Sequence, residues 1–397
     1  MKNIKLISSF FLPYRNANAI AIARKMEYLS ENKYEIETYT YDLEGFNEVD
    51  YDLKKTMKFK NIHVITRYLN KTWKRISDVL SAIKKIDNNG DIIISYFHLI
   101  ETAYLCLRLK RRDNIPWISI FSDPPHHISP FRDGTYFRHF LYMIKRQDFY
   151  LSYIPTKLAL KYSDKLIFND LWQAKFILGD NYEKYEDKIE IIQMGANIFQ
   201  GVHPAKENSK IVFRYLGELY SQRNGVEFIL AVDELVNKFE KYKDIIIIEF
   251  YGTVFSQETF DAHKNMNNKE VISFKGPVSY TDSLDLMRTA DVLLVIDANL
   301  EKLTKIYPYT PSKLIDYIGS KKPIMAVSMK NSPTHDICEE TGNWWSTFDK
   351  QEIQEALLDC IENFSNHTYS SELLHQYSSE NKSKQFEAVI DGLLEQK

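Results

Sequence analysis

Three cysteines, Cys106, Cys338 and Cys360, are too few and too scattered for a disulfide framework, and they fit no metal-ligand spacing. They point to a reducing compartment, and no metal is expected. No run approaches the ~20 apolar residues that a membrane span needs. The N-terminal MKNIKLISSFFLPYR carries a short apolar run but no small-residue cleavage pattern, so it reads as a first strand and not as a signal peptide. Glycine (13) and proline (12) are scarce beside 26 tyrosines and 23 phenylalanines, a compositional bias more than a functional signal. Low-complexity tracts and internal sequence repeats are absent. A large charge excess is missing too. The net charge is −3, and no recognisable nucleic-acid-binding module is present, so nucleic acid is not an expected partner.

The small net charge conceals an uneven division. Residues 1–200 hold 30 Lys/Arg against 24 Asp/Glu, whereas residues 201–397 hold 21 against 30. Residues 54–112 alone carry 14 basic and 4 acidic side chains. The basic half suits an anionic partner such as a phosphate-bearing lipid or a membrane surface.

A hydrophobic content of 44% with 26% charge is globular, and 397 residues are too many for one ordinary core. Strands alternate with helices throughout, the signature of parallel α/β domains. In the first half the apolar runs KNIKLIS (2–8), YEIETYT (34–40), NIHVIT (61–66), DIIISY (91–96), PWISIF (116–121), DKLIF (164–168) and IEIIQ (189–193) read as strands. Helices fit between them at 17–31, 72–87, 100–110, about 136–162 and 170–179. GANIFQGVHPAKENSK (195–210) lacks periodicity and reads as a linker. A second alternation begins at KIVFRYL (210–216). The fold class expected is therefore α/β, with two Rossmann-like domains facing across a cleft. Residues 1–200 are expected to form the first of these domains and 205–375 the second. Residues 376–397 form a C-terminal helix crossing back to the N-terminal domain.

The segment PSKLIDYIGSKKP (311–323) is the most informative in the chain. Thr310 reads as a helix N-cap, Pro311 as the first helical residue and Gly319 as the stop. The N–H groups of Ser312 and Lys313 then leave the helix end without internal partners. Lys313 sits where the helix dipole disfavours a cation, and a bound anion, usually phosphate, resolves both features. Asp316, one turn further in, can accept hydrogen bonds from a sugar diol. Upstream, a strand runs into GELYSQRNG (217–225). Gly217 permits close backbone approach, and Arg223 offers a planar fork to a diphosphate. The plainer alternative leaves Arg223 as a solvated turn residue and pairs Lys313 with Asp316.

These segments resemble the family-4 glycosyltransferases. GELYSQRNG is similar to that family's glycine followed by a basic residue and glycine, and PSKLIDYIGSKKPIMAV to its P-S-K-L-x-E-Y stretch. ADVLLVI, PWISIFSDPP and YSDKLIFND resemble further strands of polysaccharide-building members. The resemblance implies the GT-B fold, with the acceptor bound by the domain of residues 1–200 and the nucleotide sugar by that of residues 205–375, and a retaining hexosyl-type transferase. Such an enzyme moves a sugar from a nucleotide-diphosphate sugar to a glycan or lipid-linked glycan in cell-surface polysaccharide biosynthesis, with no cofactor. By position it implies Arg223, Ser312 and Lys313 on the diphosphate and Asp316 on the ribose, with Gly217 and Thr310 lining the donor. The chain departs from the pattern at three places. Pro308 stands where the first acid of an E-x7-E pair falls, Glu218 follows Gly217 where many relatives have arginine, and LPYRNANAIA (12–21) replaces a glycine-rich loop. In that loop Asn16 and Asn18 tolerate left-handed geometry, and Arg15 faces the diphosphate or an anionic acceptor.

In SDPPHH (122–127), Asp123 is the candidate base for an acceptor hydroxyl, assisted by His126 or His127, with His98 a further candidate. Alternatively Asp123 caps the Asp-Pro-Pro turn. Three basic segments, 71–86, 108–117 and 137–146, suit peripheral contact with anionic membrane, or else are ordinary solvated faces. The expected location is cytoplasmic, on the inner face of the cell membrane. Two other functions fit the same residues: a non-catalytic glycosyltransferase-like subunit and a sugar-nucleotide epimerase.

Overall fold

The computed structural model describes residues 1–8, 11, 17–42, 61–67, 83–84, 86–96, 100–125, 127–128, 152–200 and 210–396. The chain divides into two compact units, Met1–Gly195 with Ser379–Lys397, and Ala196–Ser378.

The first unit is built on a seven-stranded parallel sheet. Its strands are β1 (Lys2–Ser8), β2 (Tyr34–Asp42), β3 (Asn61–Arg67), β4 (Ile92–Tyr96), β5 (Trp117–Ile120), β6 (Lys165–Phe168) and β7 (Ile189–Ile191), in the order β3-β2-β1-β4-β5-β6-β7. Alternation along each strand feeds two cores. Ile4, Leu6, Ile92, Ile94, Ile118 and Ile120 pack on one face, and Ile7, Ile93 and Trp117 on the other. Strands buried on both faces read as unbroken apolar runs, which is why they are visible in the sequence.

Helix α1 (Ala17–Met26) buries Ala19, Ile22, Ala23 and Met26, one stripe at helical spacing. Helices α2 (Ile100–Asp113), α3 (Ile154–Tyr162) and α4 (Leu171–Leu178) follow. The earlier part of the helix expected at 136–162 lies outside the described residues.

The basic cluster at the end of α2 is engaged within its own unit. Arg108 bonds the Tyr104 hydroxyl, Lys110 pairs with Asp164, and Arg111 lies over the Tyr162 ring. Arg112 holds the Asp113 carboxylate at 2.6 Å and the carbonyls of Ile83 and Ile86. Cations in a last turn also complement the helix dipole. Of the other two basic segments, 137–146 and nearly all of 71–86 lie outside the described residues.

The C-terminal helix, which closes this unit, packs on α1 and buries Phe386, Ile390 and Leu393 in the same core as Ile4 and Ile22. At its flank, Lys33 pairs with Glu387 at 2.8 Å and with Asp391 at 3.3 Å. Phe386 is fully buried. Phe386→Ala is expected to cost the unit about 3–5 kcal/mol, read as a lowered denaturant midpoint. A loss within experimental error would mean that the helix does not stabilise this unit.

The second unit carries β8 (Ile211–Leu216), β9 (Ile246–Tyr251), β10 (Ile272–Gly276), β11 (Val292–Ile296), β12 (Ile324–Val327) and β13 (Trp344–Ser346), all parallel, in the order β10-β9-β8-β11-β12-β13. Its longer helices are α5 (Val226–Lys238), α6 (Gln257–Lys264), α7 (Tyr280–Thr289), α8 (Ser312–Ser320), α9 (Pro333–Thr341), α10 (Lys350–Asn363) and α11 (Ser371–Tyr377); the C-terminal helix of the first unit is α12 (Ser379–Glu395). One core lies under α5 and α10, whose Phe228, Val232, Leu235, Ile353 and Leu357 meet the inner residues of β8, β9 and β11. No helix among the described residues is long and apolar enough to cross a membrane.

Candidate functional site

The strand order of the second unit reverses between β8 and β11. From β8 the sheet grows through β9 and β10 on one side, and from β11 through β12 and β13 on the other. The carboxyl ends flanking such a switch point form the crevice where open α/β sheets bind ligands. Here those ends are Gly217 with Glu218 after β8, and Asp297 after β11.

Backbone contacts fix the turn after β8. Gly217 has φ +154° and Gly252 φ +136°, a region that side chains avoid. They pack so closely that a Cβ on Gly252 would lie 2.1 Å from the Gly217 carbonyl oxygen. Tyr220 and Arg223 then exchange backbone hydrogen bonds of 2.8 Å in a tight bridge, with Ser221 at φ +46°. The Gln222 carbonyl accepts from the Asn299 N–H, which ties the bridge to the chain after β11. Arg223 is therefore not a loose turn residue.

Helix α8 is anchored to the same edge, because the Leu216 N–H donates to the Tyr317 hydroxyl at 3.0 Å. Its ends differ from the sequence expectation. Pro311, not Thr310, is the N-cap, with ψ 124° keeping it extended, and Ser312 is the first helical residue. Gly319 lies inside the helix. A Cβ there would meet the Asn197 carbonyl oxygen at 2.5 Å, so this glycine serves a close approach and not a stop. Lys321, at φ 63°, is the left-handed cap.

The charged side chains gather beneath this edge. Arg223 donates from Nη2 to the Tyr307 hydroxyl at 3.1 Å, and its guanidinium lies over the Tyr220 ring. Lys313 turns inward, and its Nζ sits 3.7 Å from the centre of the Tyr215 ring. It does not pair with Asp316. A Cβ on Gly217 would approach this Nζ to 2.5 Å, so the glycine makes room for the ammonium. Asp297 is 1% exposed and accepts from the Thr334 hydroxyl at 2.6 Å through Oδ2.

Three buried atoms in this group have no hydrogen-bond partner within the described protein: Nε of Arg223, Nζ of Lys313 and Oδ1 of Asp297. Each such atom costs about 1–3 kcal/mol, and the sum is a sizeable part of a domain's ~5–15 kcal/mol stability. Burial pushes the Lys313 amine well below the usual lysine range, and the neighbouring Arg223 adds to the shift while Asp297 and Glu218 oppose it. Burial raises the Asp297 carboxyl, with Arg223, the Thr334 hydroxyl and Lys313 holding it partly down. Arg223 remains a guanidinium: burial works against the charge, but the nearby Asp297 carboxyl and the Tyr307 hydroxyl that accepts from it favour it.

The remaining sequence candidates are placed as follows. Ser312 is exposed on the first turn of α8, and Thr310 and Asp316 are partly buried there. In the first unit Asp123 is exposed just beyond β5. His127 is buried against Tyr153, with its Nδ1 2.9 Å from the Ser152 hydroxyl. Asn18 lies within α1, so its backbone is helical and not left-handed. Arg15, Asn16, His98 and His126 lie outside the described residues.

No known protein family and no curated protein matches the sequence. Solved structures do match across its whole length. A sucrose-phosphate synthase from Thermosynechococcus elongatus superposes with a TM-score of 0.68 at 12% identity, covering 100% of both chains. The lipopolysaccharide outer core galactosyltransferase WaaB gives 0.63 at 12% identity over 98% of this chain and 99% of its own. This chain has the GT-B fold. A UDP-GlcNAc 2-epimerase from Neisseria meningitidis, bound to UDP-GlcNAc, shares the GT-B fold at TM-score 0.58 and 11% identity, covering 100% of both chains. The architecture is thus common to sugar transfer and to epimerisation, and the site must separate them.

Sequence reasoning missed Asp297, Tyr215, Tyr307 and Thr334. Asp297 was within reach, since it is the acid that ends ADVLLVID at the carboxyl end of a parallel strand. The tyrosines carry no such signal in a chain with 26 of them.

Proposed function

We propose that the chain is a glycosyltransferase that moves a hexose-type sugar from a nucleoside-diphosphate sugar to a glycan or lipid-linked glycan, in cell-surface polysaccharide assembly, with retention and without a cofactor. One observation carries the reading. Arg223 and Lys313 are two partly buried basic residues, each with a buried, unpartnered nitrogen, gathered beside a glycine at the switch point of a parallel sheet. Like charges brought close together call for an anion between them, and a diphosphate supplies two negative charges. In the reaction those cations stabilise the charge developing on the leaving diphosphate, the electrostatic contribution that usually dominates. The N–H groups at the start of α8 add partial positive charge. Asp123 is the group we assign to the acceptor hydroxyl.

Among the neighbours in fold, the galactosyltransferase WaaB supports sugar transfer, and the epimerase bound to UDP-GlcNAc supports a nucleotide-sugar ligand. A thermal-shift screen of UDP-, GDP-, ADP- and dTDP-sugars tests the reading. One donor is expected to raise the melting temperature, since ligand at 100 times its Kd adds about 2.7 kcal/mol. That donor should also release nucleoside diphosphate slowly in water and faster with acceptor. No stabilisation by any donor would reject the site. A changed donor sugar without any acceptor requirement would reassign the chain to epimerisation, and binding without turnover would make it a non-catalytic subunit.

A further inference from the structure

Asp297 has no place in the donor reading so far, and a carboxylate beside an anion site is unfavourable unless it has a task. It lies at the end of β11, 1% exposed, with Oδ2 held by Thr334 of α9 and Oδ1 without a partner among the described residues. Its charged neighbours are Arg223, from the bridge after β8, and Lys313, from α8. Neither makes an ion pair with it within 4 Å, and both keep an unpartnered nitrogen. The hydroxyl of Tyr307 stands between the two sides of the group, accepting from Arg223 and interacting with Asp297. Among the described residues, the other titratable groups facing this cluster are Tyr215, Glu218 and Tyr220 from the β8 side and Cys338 from α9.

We propose that Asp297 is the positioning residue of the donor site: it is the internal counter-ion that keeps Arg223 and Lys313 gathered in the ligand-free protein, and an entering diphosphate takes over that part with uptake of a proton by the Lys313–Asp297 pair. The inference rests on the donor-site reading. Its sign follows from charge. Burial has lowered the Lys313 amine and raised the Asp297 carboxyl. A diphosphate placed beside them raises both further, so the bound state holds more protons than the free one. Donor affinity is then greatest at low pH and falls as pH rises through the free-state values of these two groups, by up to about tenfold per pH unit for one proton.

Titration calorimetry with UDP-glucose, GDP-mannose, ADP-glucose and dTDP-glucose tests this, because their diphosphates do not themselves titrate near neutrality. For the donor that binds, the wild type should give different heats in buffers of low and high ionisation enthalpy, corresponding to proton uptake. Lys313→Arg cannot deprotonate, which leaves Asp297 as the pair's only proton acceptor, and should bind with less uptake and a flatter pH profile. Asp297→Asn removes the counter-ion, lowers Lys313 further in the free protein, and should start the fall in affinity at lower pH. Equal heats for the wild type in both buffers overturn the proposal. So does an Asp297→Asn protein that weakens binding at every pH without moving the profile, which is what a purely structural role predicts. If Asp297→Asn does not fold, the wild type and Lys313→Arg decide. Failure of all four donors to bind removes the donor site itself, and the proposal with it.

Discussion

Arg223→Ala is expected to lower sugar transfer by about 10²–10³-fold, an increase of ~3–4 kcal/mol in the barrier. The stability cost should be smaller. Among the described residues the native side chain makes one hydrogen bond, to Tyr307, and rests on the Tyr220 ring. A bond to a charged group contributes about 1.5–3 kcal/mol, and removing a partly buried, poorly satisfied cation returns part of that. The effect should fall mainly on kcat if the guanidinium meets charge that grows as the diphosphate leaves, and on KM if it only anchors the donor. Arg223→Lys keeps the charge but loses the fork, and should fall between the two. A variant with wild-type turnover of its best donor would remove Arg223 from the chemistry.

Much of the fold was legible because both sheets are parallel and buried on two faces. DIIISY and ADVLLVID are continuous apolar runs with charged or turn residues at their ends, and such runs have few other readings. β4, all five residues of it buried, and β11 lie within the spans expected of them. The amphipathic C-terminal helix was also visible, but its seat on α1 depends on Phe386 and Ile390 meeting Ile22 across most of the chain's length, which periodicity cannot report. The site divides along the same line. A helix opening at Pro-Ser-Lys after a strand is a local pattern, and so is a glycine that ends a strand. That Lys313 turns inward onto Tyr215, in space left by the missing side chain of Gly217, is not local. Neither is the buried carboxylate that opposes it. The sequence reading placed both cations on the sheet edge and saw nothing of what balances them in the absence of a ligand.

Gly252→Ala is expected to be among the most damaging substitutions in the second unit. At φ +136° the residue lies where side chains are strained by about 1–3 kcal/mol, and its new methyl would sit 2.1 Å from the Gly217 oxygen and 2.5 Å from the Gly217 carbonyl carbon. Both are backbone atoms, so no rotamer relieves the clash, and overpacking adds another ~1–3 kcal/mol. Movement is also resisted, since the Gly217 N–H donates to Tyr251 at 2.7 Å, the Gly252 N–H to Gly276 at 2.8 Å and the Leu219 N–H to Thr253 at 3.1 Å. A total near 3–5 kcal/mol should lower the melting temperature of this unit by roughly 10 °C. Gly276→Ala supplies the control, because Gly276 also has positive φ, +79°, but nothing lies within 4 Å of its added methyl. It should cost only the backbone strain. If the two variants melt alike, the close approach of residues 217 and 252 carries no energy. If Gly252→Ala is the less stable by several degrees and also loses donor affinity below its melting point, the turn that makes room for Lys313 is fixed by contact with its neighbouring strand end, because any shift of Gly217 that relieves the clash moves the wall against which the ammonium is packed.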